Sequence, residues 1–217
     1  TCYDQSDCFN YHKVDSNFNI LDKYLKVPEN IQNYSLKISS SMFKYRQSIF
    51  FKELFNDTIY KLNDDGDIEL FLYVDFENRS LPETIKYDSR NNDIGTYITK
   101  HTFNGKYIFG LRNMVINDRI VFLEYFDKNK VNEIYYDLQT KNLVSYSFLK
   151  IHDNKKLINR PMYSFKDFFI SVIDVEQILA YKDDKKYQDF IKSILLEEPE
   201  YDMRSNPVLV LYKVNLD

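Results

Sequence analysis

The sequence predicts an all-β fold: a β-propeller, or part of one, made of four-stranded antiparallel blades with a helical insertion near residues 175–198. Three observations carry that prediction. A hairpin pattern recurs at a fixed offset, aromatic residues that favour strands dominate the apolar set, and the apolar period shifts from two to about 3.6 in one segment only.

The hairpin is clearest from Asn56 to Phe76. Apolar residues alternate through Ile59, Tyr60 and Leu62, a polar turn follows at Asn63-Asp64-Asp65-Gly66-Asp67, and a long return run spans Ile68 to Phe76. Tyr60 to Ile68 is eight residues, with Leu62 two along; Tyr136 to Val144 repeats the spacing with Leu138, turning at Gln139-Thr140-Lys141-Asn142. His12 to Ile20 gives it again, with Val14 in place of Leu62 and a turn at Ser16-Asn17-Phe18-Asn19. Tyr212-Lys213-Val214 reads as a fourth start. Recurrent small antiparallel sheets are how propellers are assembled.

In chain order, residues 10–28 form the opening hairpin and 29–41 an Asn- and Ser-rich connector. A four-strand unit follows at about 41–45, 48–53, 57–63 and 68–76, and then a polar loop from Glu77 to Thr96. The second unit runs through 107–115, 119–127, 131–138 and 143–151, with Tyr97 to Phe103 as an extra strand or a crossing connection. His152 to Arg160 is a connector. The third unit opens at 162–165 and 168–173, then breaks into helix: Tyr187, Phe190, Ile191, Ile194 and Leu195 share one helical face, Asp174 caps the start and Pro199 stops it. Pro207 to Asn215 resumes as a strand, and its nearly continuous apolar character predicts burial on both faces.

Composition limits function. The 217 residues include 19 tyrosines, 17 phenylalanines and no tryptophan, so aromatic side chains carry much of the core. A net charge of −4 gives no electrostatic case for nucleic acid. Lys155-Lys156 and Lys185-Lys186 are short basic clusters beside acids and read as solvated surface. No apolar run approaches the ~20 residues of a membrane-spanning helix. Two cysteines, Cys2 and Cys8, fit a disulfide, a lipid-bearing Cys2 or two ordinary thiols. His12, His101 and His152 have no second ligand at metal spacing, and no cofactor is expected.

The Asn56-Asp57-Thr58-Ile59-Tyr60 motif and the closing Asn206-Pro207-Val208-Leu209-Val210-Leu211-Tyr212-Lys213 run resemble the six-bladed β-propeller (TolB/NHL-like) lipoproteins of Bacteroidota. That resemblance implies that residues 1–217 are one propeller-type domain, either the C-terminal portion of a longer propeller or a shortened relative. It also implies a periplasmic or outer-membrane, surface-exposed setting with Cys2 as the lipidation site. The implied job is a non-catalytic binding or scaffold protein accessory to a TonB-dependent nutrient transporter and its surface lipoprotein partners, with a glycan or peptide ligand. The alternative is a propeller enzyme of lyase or lactonase type acting at the central channel.

Candidate sites are few. Asn63 to Asp67 has oxygen ligands but lacks the frame of a calcium loop, and a hairpin turn with Gly66 at positive φ explains it better. Glu197-Glu198-Glu200-Asp202 reads as a solvated helix end, and Tyr87, Tyr97 and Tyr201 as chance loop aromatics. No nucleophile elbow, phosphate loop or dinucleotide fingerprint occurs, and the 33 acidic residues offer no choice of a catalytic pair. The channel-facing strands of a propeller would be 41–45, 107–115 and 161–165. They bring Lys44, Arg46, Arg112, Asn113 and the adjacent Arg160, a basic and polar set that fits either an anion-binding mouth or channel-facing residues in water.

Overall fold

The computed structural model describes residues 9–26, 42–52, 56–86, 104–108, 110–128, 130–149, 160–185, 187–197, 202 and 206–216. Among these described residues, thirteen strands form four antiparallel sheets. The first pairs β1 (Phe9–Val14) with β2 (Ile20–Lys26). The second has the order β3 (Met42–Tyr45), β4 (Ser48–Lys52), β5 (Thr58–Leu62), β6 (Ile68–Tyr73). The third runs β10 (Leu143–Leu149), β9 (Lys130–Asp137), β8 (Ile120–Asp127), β7 (Leu111–Ile116). The fourth is β11 (Tyr163–Phe165), β12 (Phe168–Ile173), β13 (Val208–Tyr212).

The all-β expectation holds, and the three predicted hairpins form where their turns were placed. The closed ring does not: the sheets are separate, and none is closed among the described residues. A repeated turn specifies pairing between neighbouring strands and nothing beyond it, whereas closure requires contacts between distant segments. Tyr212 ends β13 rather than starting a further hairpin, and residues 213–216 carry no strand. The polar stretch after Phe76 is not featureless either. A 3₁₀ turn at Glu77–Arg79 and a short helix α1 (Glu83–Lys86) fill its first part, and Ser80 makes a parallel bridge to Ile108.

The hairpins turn with few glycines because other residues adopt left-handed backbone there. Phe18, Arg46, Lys128, Lys141 and Lys166 have φ between 52° and 64°, and Gly66 supplies φ 93° between β5 and β6. Asn63 N donates to Asp67 O and Gly66 N to Asn63 O, so the acidic stretch is the turn predicted for it.

The chain divides into two compact units, Thr1–Arg112 with Tyr125–Asn129, and Asn113–Glu124 with Lys130–Asp217. In the first, the β1–β2 hairpin packs on the second sheet. Tyr11 lies 4.7 Å from the Phe51 ring and its hydroxyl donates to Lys52 O at 2.8 Å, while the Tyr24 hydroxyl donates to Gly66 O at 2.7 Å. Phe50, Phe51 and Ile59 are buried beneath them. In the Asn-Asp-Thr-Ile-Tyr motif, Asn56 Oδ1 accepts from the backbone N–H groups of Asp57 and Thr58, which starts β5.

In the second unit, β9 packs against the fourth sheet through Tyr135, 5.9 Å from Phe169, which in turn lies 5.9 Å from Tyr212. Burial raises the Tyr135 hydroxyl pKa, with Tyr212, Glu133 and Tyr146 adding to the shift. Helices α2 (Val175–Tyr181) and α3 (Gln188–Glu197) occupy the predicted insertion. Asp174 caps α2, its N–H donating to Gln177 Oε1 at 3.2 Å, and Ile178 and Ile191 close a core with Ile173, Val175 and Val210. Burying side chains of this size stabilises by roughly 1.5–3 kcal/mol each. The expectation for the last strand fails: β13 alternates, with Val210 inside and Leu209 and Leu211 64% and 53% exposed. It covers one face, as an antiparallel strand does, because α2, α3 and β9 lie on one side only.

Candidate functional site

The most polar buried point of the second unit is on β8. This strand is apolar from Ile120 to Leu123 and then carries Glu124, which is 2% exposed. Asn113 Nδ2, on the neighbouring β7, donates to Glu124 Oε1 at 3.0 Å. Arg160 Nη1 donates to Oε1 at 3.2 Å and Oε2 at 3.1 Å. Leu138 N donates to Arg119 O, and counting back along that antiparallel pair places Glu133, 4% exposed, across from Glu124. Tyr146 follows opposite Glu133 on β10. Two of the acidic side chains are thus brought into one row, both buried. Glu124 with Arg160 is a hydrogen-bonded ion pair whose carboxylate is buried.

At the end of the same strands, Asp137 is fully buried and accepts from Gln139 N at 2.8 Å, Thr140 N at 3.0 Å and Arg119 Nε. Burial pushes its carboxyl upward, but the two backbone donors and Arg119 outweigh it, so the group stays below the usual carboxylate range. Asn117, 1% exposed, shapes the β7–β8 turn by accepting from Arg119 N and Ile120 N, and its amide donates to Asp167 O. These are architectural contacts.

In the first unit, Lys52 ends β4 and is 2% exposed. The one charge that bears on it among the described residues is the Arg112 guanidinium, which is of the same sign and sits 4.0 Å above the Phe126 ring. Burial, with the Arg112 charge adding to it, lowers the Lys52 ammonium pKa to about 8.

The structure therefore sorts the basic set read from the sequence. Asn113 and Arg160 meet on Glu124; Arg112 stands with Lys52; Lys44 is exposed on the edge strand β3; Arg46 is a left-handed turn residue whose guanidinium lies 5.7 Å over the Tyr45 ring. Cys2 and Cys8, His101 and His152, Tyr87, Tyr97 and Tyr201, Lys155 and Lys156, Lys186, and Glu198 and Glu200 lie outside the described residues. Among the described residues no three His, Cys, Asp or Glu side chains converge as a metal site, and no helix is long and apolar enough to cross a membrane. Sequence reasoning missed Lys52, Glu124 and Glu133. The signal was there for two of them, a lone Lys after Phe50-Phe51 and a lone Glu inside Val121-Phe122-Leu123-Glu124-Tyr125-Phe126.

Residues 2–213 match the family described as a domain of unknown function (DUF4934), and the chain belongs to that family. This, with the four separate sheets, overturns the assignment to the TolB/NHL-like six-bladed lipoproteins; the two short motifs that suggested it are strand-and-turn chemistry, with an Asx-capped strand start and an alternating strand. Among curated proteins nothing matches. The fold is similar to the crystal structure of a "Putative exported protein" from Bacteroides fragilis, at a TM-score of 0.66 and 17% identity over 97% of this chain. The chain spans 59% of that protein's length.

Proposed function

We propose that this chain belongs to an exported, non-catalytic binding or scaffold protein, and that the outer face of the β11–β12–β13 sheet docks a partner protein. The exposure of that face carries the reading. Tyr163, Phe165, Leu209 and Leu211 are 60%, 56%, 64% and 53% exposed. The pairs Tyr163↔Ile170, Phe165↔Phe168, Ile170↔Leu211 and Val172↔Leu209 put them on one side with Phe168, Ile170 and Val172. A contiguous apolar sheet face left to water is unfavourable and marks a contact surface. A broad sheet face of this kind suits a folded partner rather than a small solute, which needs a concavity. The rim is polar: Lys166 turns the edge, and Lys213 pairs with Asp167. Aromatic centre and charged rim are the make-up of protein interfaces.

The exported description of the Bacteroides fragilis neighbour supports a periplasmic or secreted location. In its narrower form the proposal makes the partner a TonB-dependent outer-membrane transporter and the protein an accessory to uptake of a glycan or peptide. The test is purification of the native protein from membranes beside Leu211→Lys, which places a charge on the exposed face without disturbing the inner core. The expected result is a transporter that accompanies the native protein and is lost with the variant. Elution alone in both cases, or a transporter retained by the variant, overturns the proposal.

A further inference from the structure

We propose that the outer edge of β13 pairs, antiparallel and in register about Val210, with β13 of a second copy of this chain. The contact engages the edge of the fourth sheet and not its outer face, so it goes beyond the docking described above. Among the described residues β13 ends its sheet, and its five residues, Val208 to Tyr212, match β12 without a shift of register. Along such a strand every second residue turns its N–H and C=O away from the neighbour. Another extended backbone answers that row along its whole length, so the chemistry of the edge names its occupant as a strand.

Folded proteins guard sheet edges with charge, proline or an irregularity. Lys13, Asp22, Lys44, Glu69 and Arg112 supply a charge on β1, β2, β3, β6 and β7, while β10 and β11 carry serine. β13, Val-Leu-Val-Leu-Tyr, has neither. Pro207 before it has no N–H to offer and Lys213 follows it, which limits the pairing to these five residues and centres it on Val210. A second copy is the strand that fits. Turned about a two-fold axis at Val210, the sequence meets itself with Leu209 opposite Leu211 and Val208 opposite Tyr212. No charge of the strand is brought against its like, the usual obstacle to contact between identical surfaces. Lys213 stays with Asp167 of its own chain at the rim. Leu209 and Leu211, both more than half exposed, each gain a leucine neighbour on the same side of the sheet.

The full chain is followed by sedimentation velocity over a range of concentrations, beside two double variants that place charges at the same exposed positions. Leu209→Lys with Leu211→Lys sets like charges opposite one another twice, and Leu209→Lys with Leu211→Glu sets opposite charges there twice. Circular dichroism checks that each variant folds. The expected result is a wild-type dimer, weakened at least about tenfold in the like-charge variant, with the opposite-charge variant at least about tenfold tighter than the like-charge one. In the wild type, exchange of the outward amides within residues 208–212 slows as the dimer forms, a readout that needs no variant. A wild-type chain that stays monomeric, a dimer in which the two variants behave alike, or amides that exchange at one rate at every concentration overturns the proposal. No transporter is present in these measurements, so a failure here is separate from a failure of the outer face to dock one.

Discussion

Arg160 holds Glu124 from the opposite side of the solvent boundary: the two side chains are 49% and 3% exposed, and they meet at 3.1 Å. The two halves of this pair are therefore not equivalent. Removing the arginine breaks an ion pair whose carboxylate stays inside the sheet, a change that costs about 3 kcal/mol. Converting Glu124 to Gln leaves an acceptor for Asn113 and frees an arginine that water can reach, a loss of about 1 kcal/mol. Arg160→Met is thus expected to lower the urea midpoint by clearly more than Glu124→Gln. Equal losses, or the reverse order, would mean that the pair is solvated and not architectural.

Asp137 gives the second unit an acid-sensitive joint. Its folded-state pKa lies below the unfolded value, so the unfolded chain binds the proton more readily. The stability this contributes is fully present above the unfolded carboxylate pKa of about 4. It is lost as pH falls through the folded value. Protonation removes the charge that Arg119 Nε, Gln139 N and Thr140 N converge on. Asp137→Asn keeps the shape and discards the titration. Unfolding free energy measured from pH 6 to pH 3 should fall less steeply for the variant than for the wild type, and parallel curves would refute the assignment.

How much of this was readable from residues alone follows from the range of each interaction. The hairpins were, because alternation and turn chemistry are local: Asn63 to Asp67 folds as its own sequence demands, and Asp174 with Gln177 starts a helix from within four residues. The helical insertion was legible for the same reason, its apolar face meeting the core at Ile191. What failed was anything set between segments far apart. Leu209 and Leu211 are apolar like Val210, yet only Val210 is covered, and which side of β13 receives α2 and α3 is not written in the strand. Arg160 and Asn113 looked alike as channel-facing residues until Glu124, on another strand, claimed both. Lys52 escaped notice because a lysine at a strand end ordinarily lies in water.

That lysine yields a prediction of its own. Burial holds the Lys52 ammonium pKa down to about 8 in the folded chain, against the ordinary lysine value of 10.5. Below pH 8 it is charged in both states, and the folded state bears a desolvation penalty on the order of 3 kcal/mol. Between about 8 and 10.5 the unfolded chain holds the proton more tightly, so raising the pH favours folding, and above that range the penalty is gone. Lys52→Met has no such group. It should therefore be more stable than the wild type at pH 7, by up to that amount, and the gap should close as pH climbs toward 10.5. Urea unfolding of both proteins at several pH values checks it. A variant that is less stable at pH 7, with a gap that does not change with pH, would show that the ammonium is compensated inside the fold.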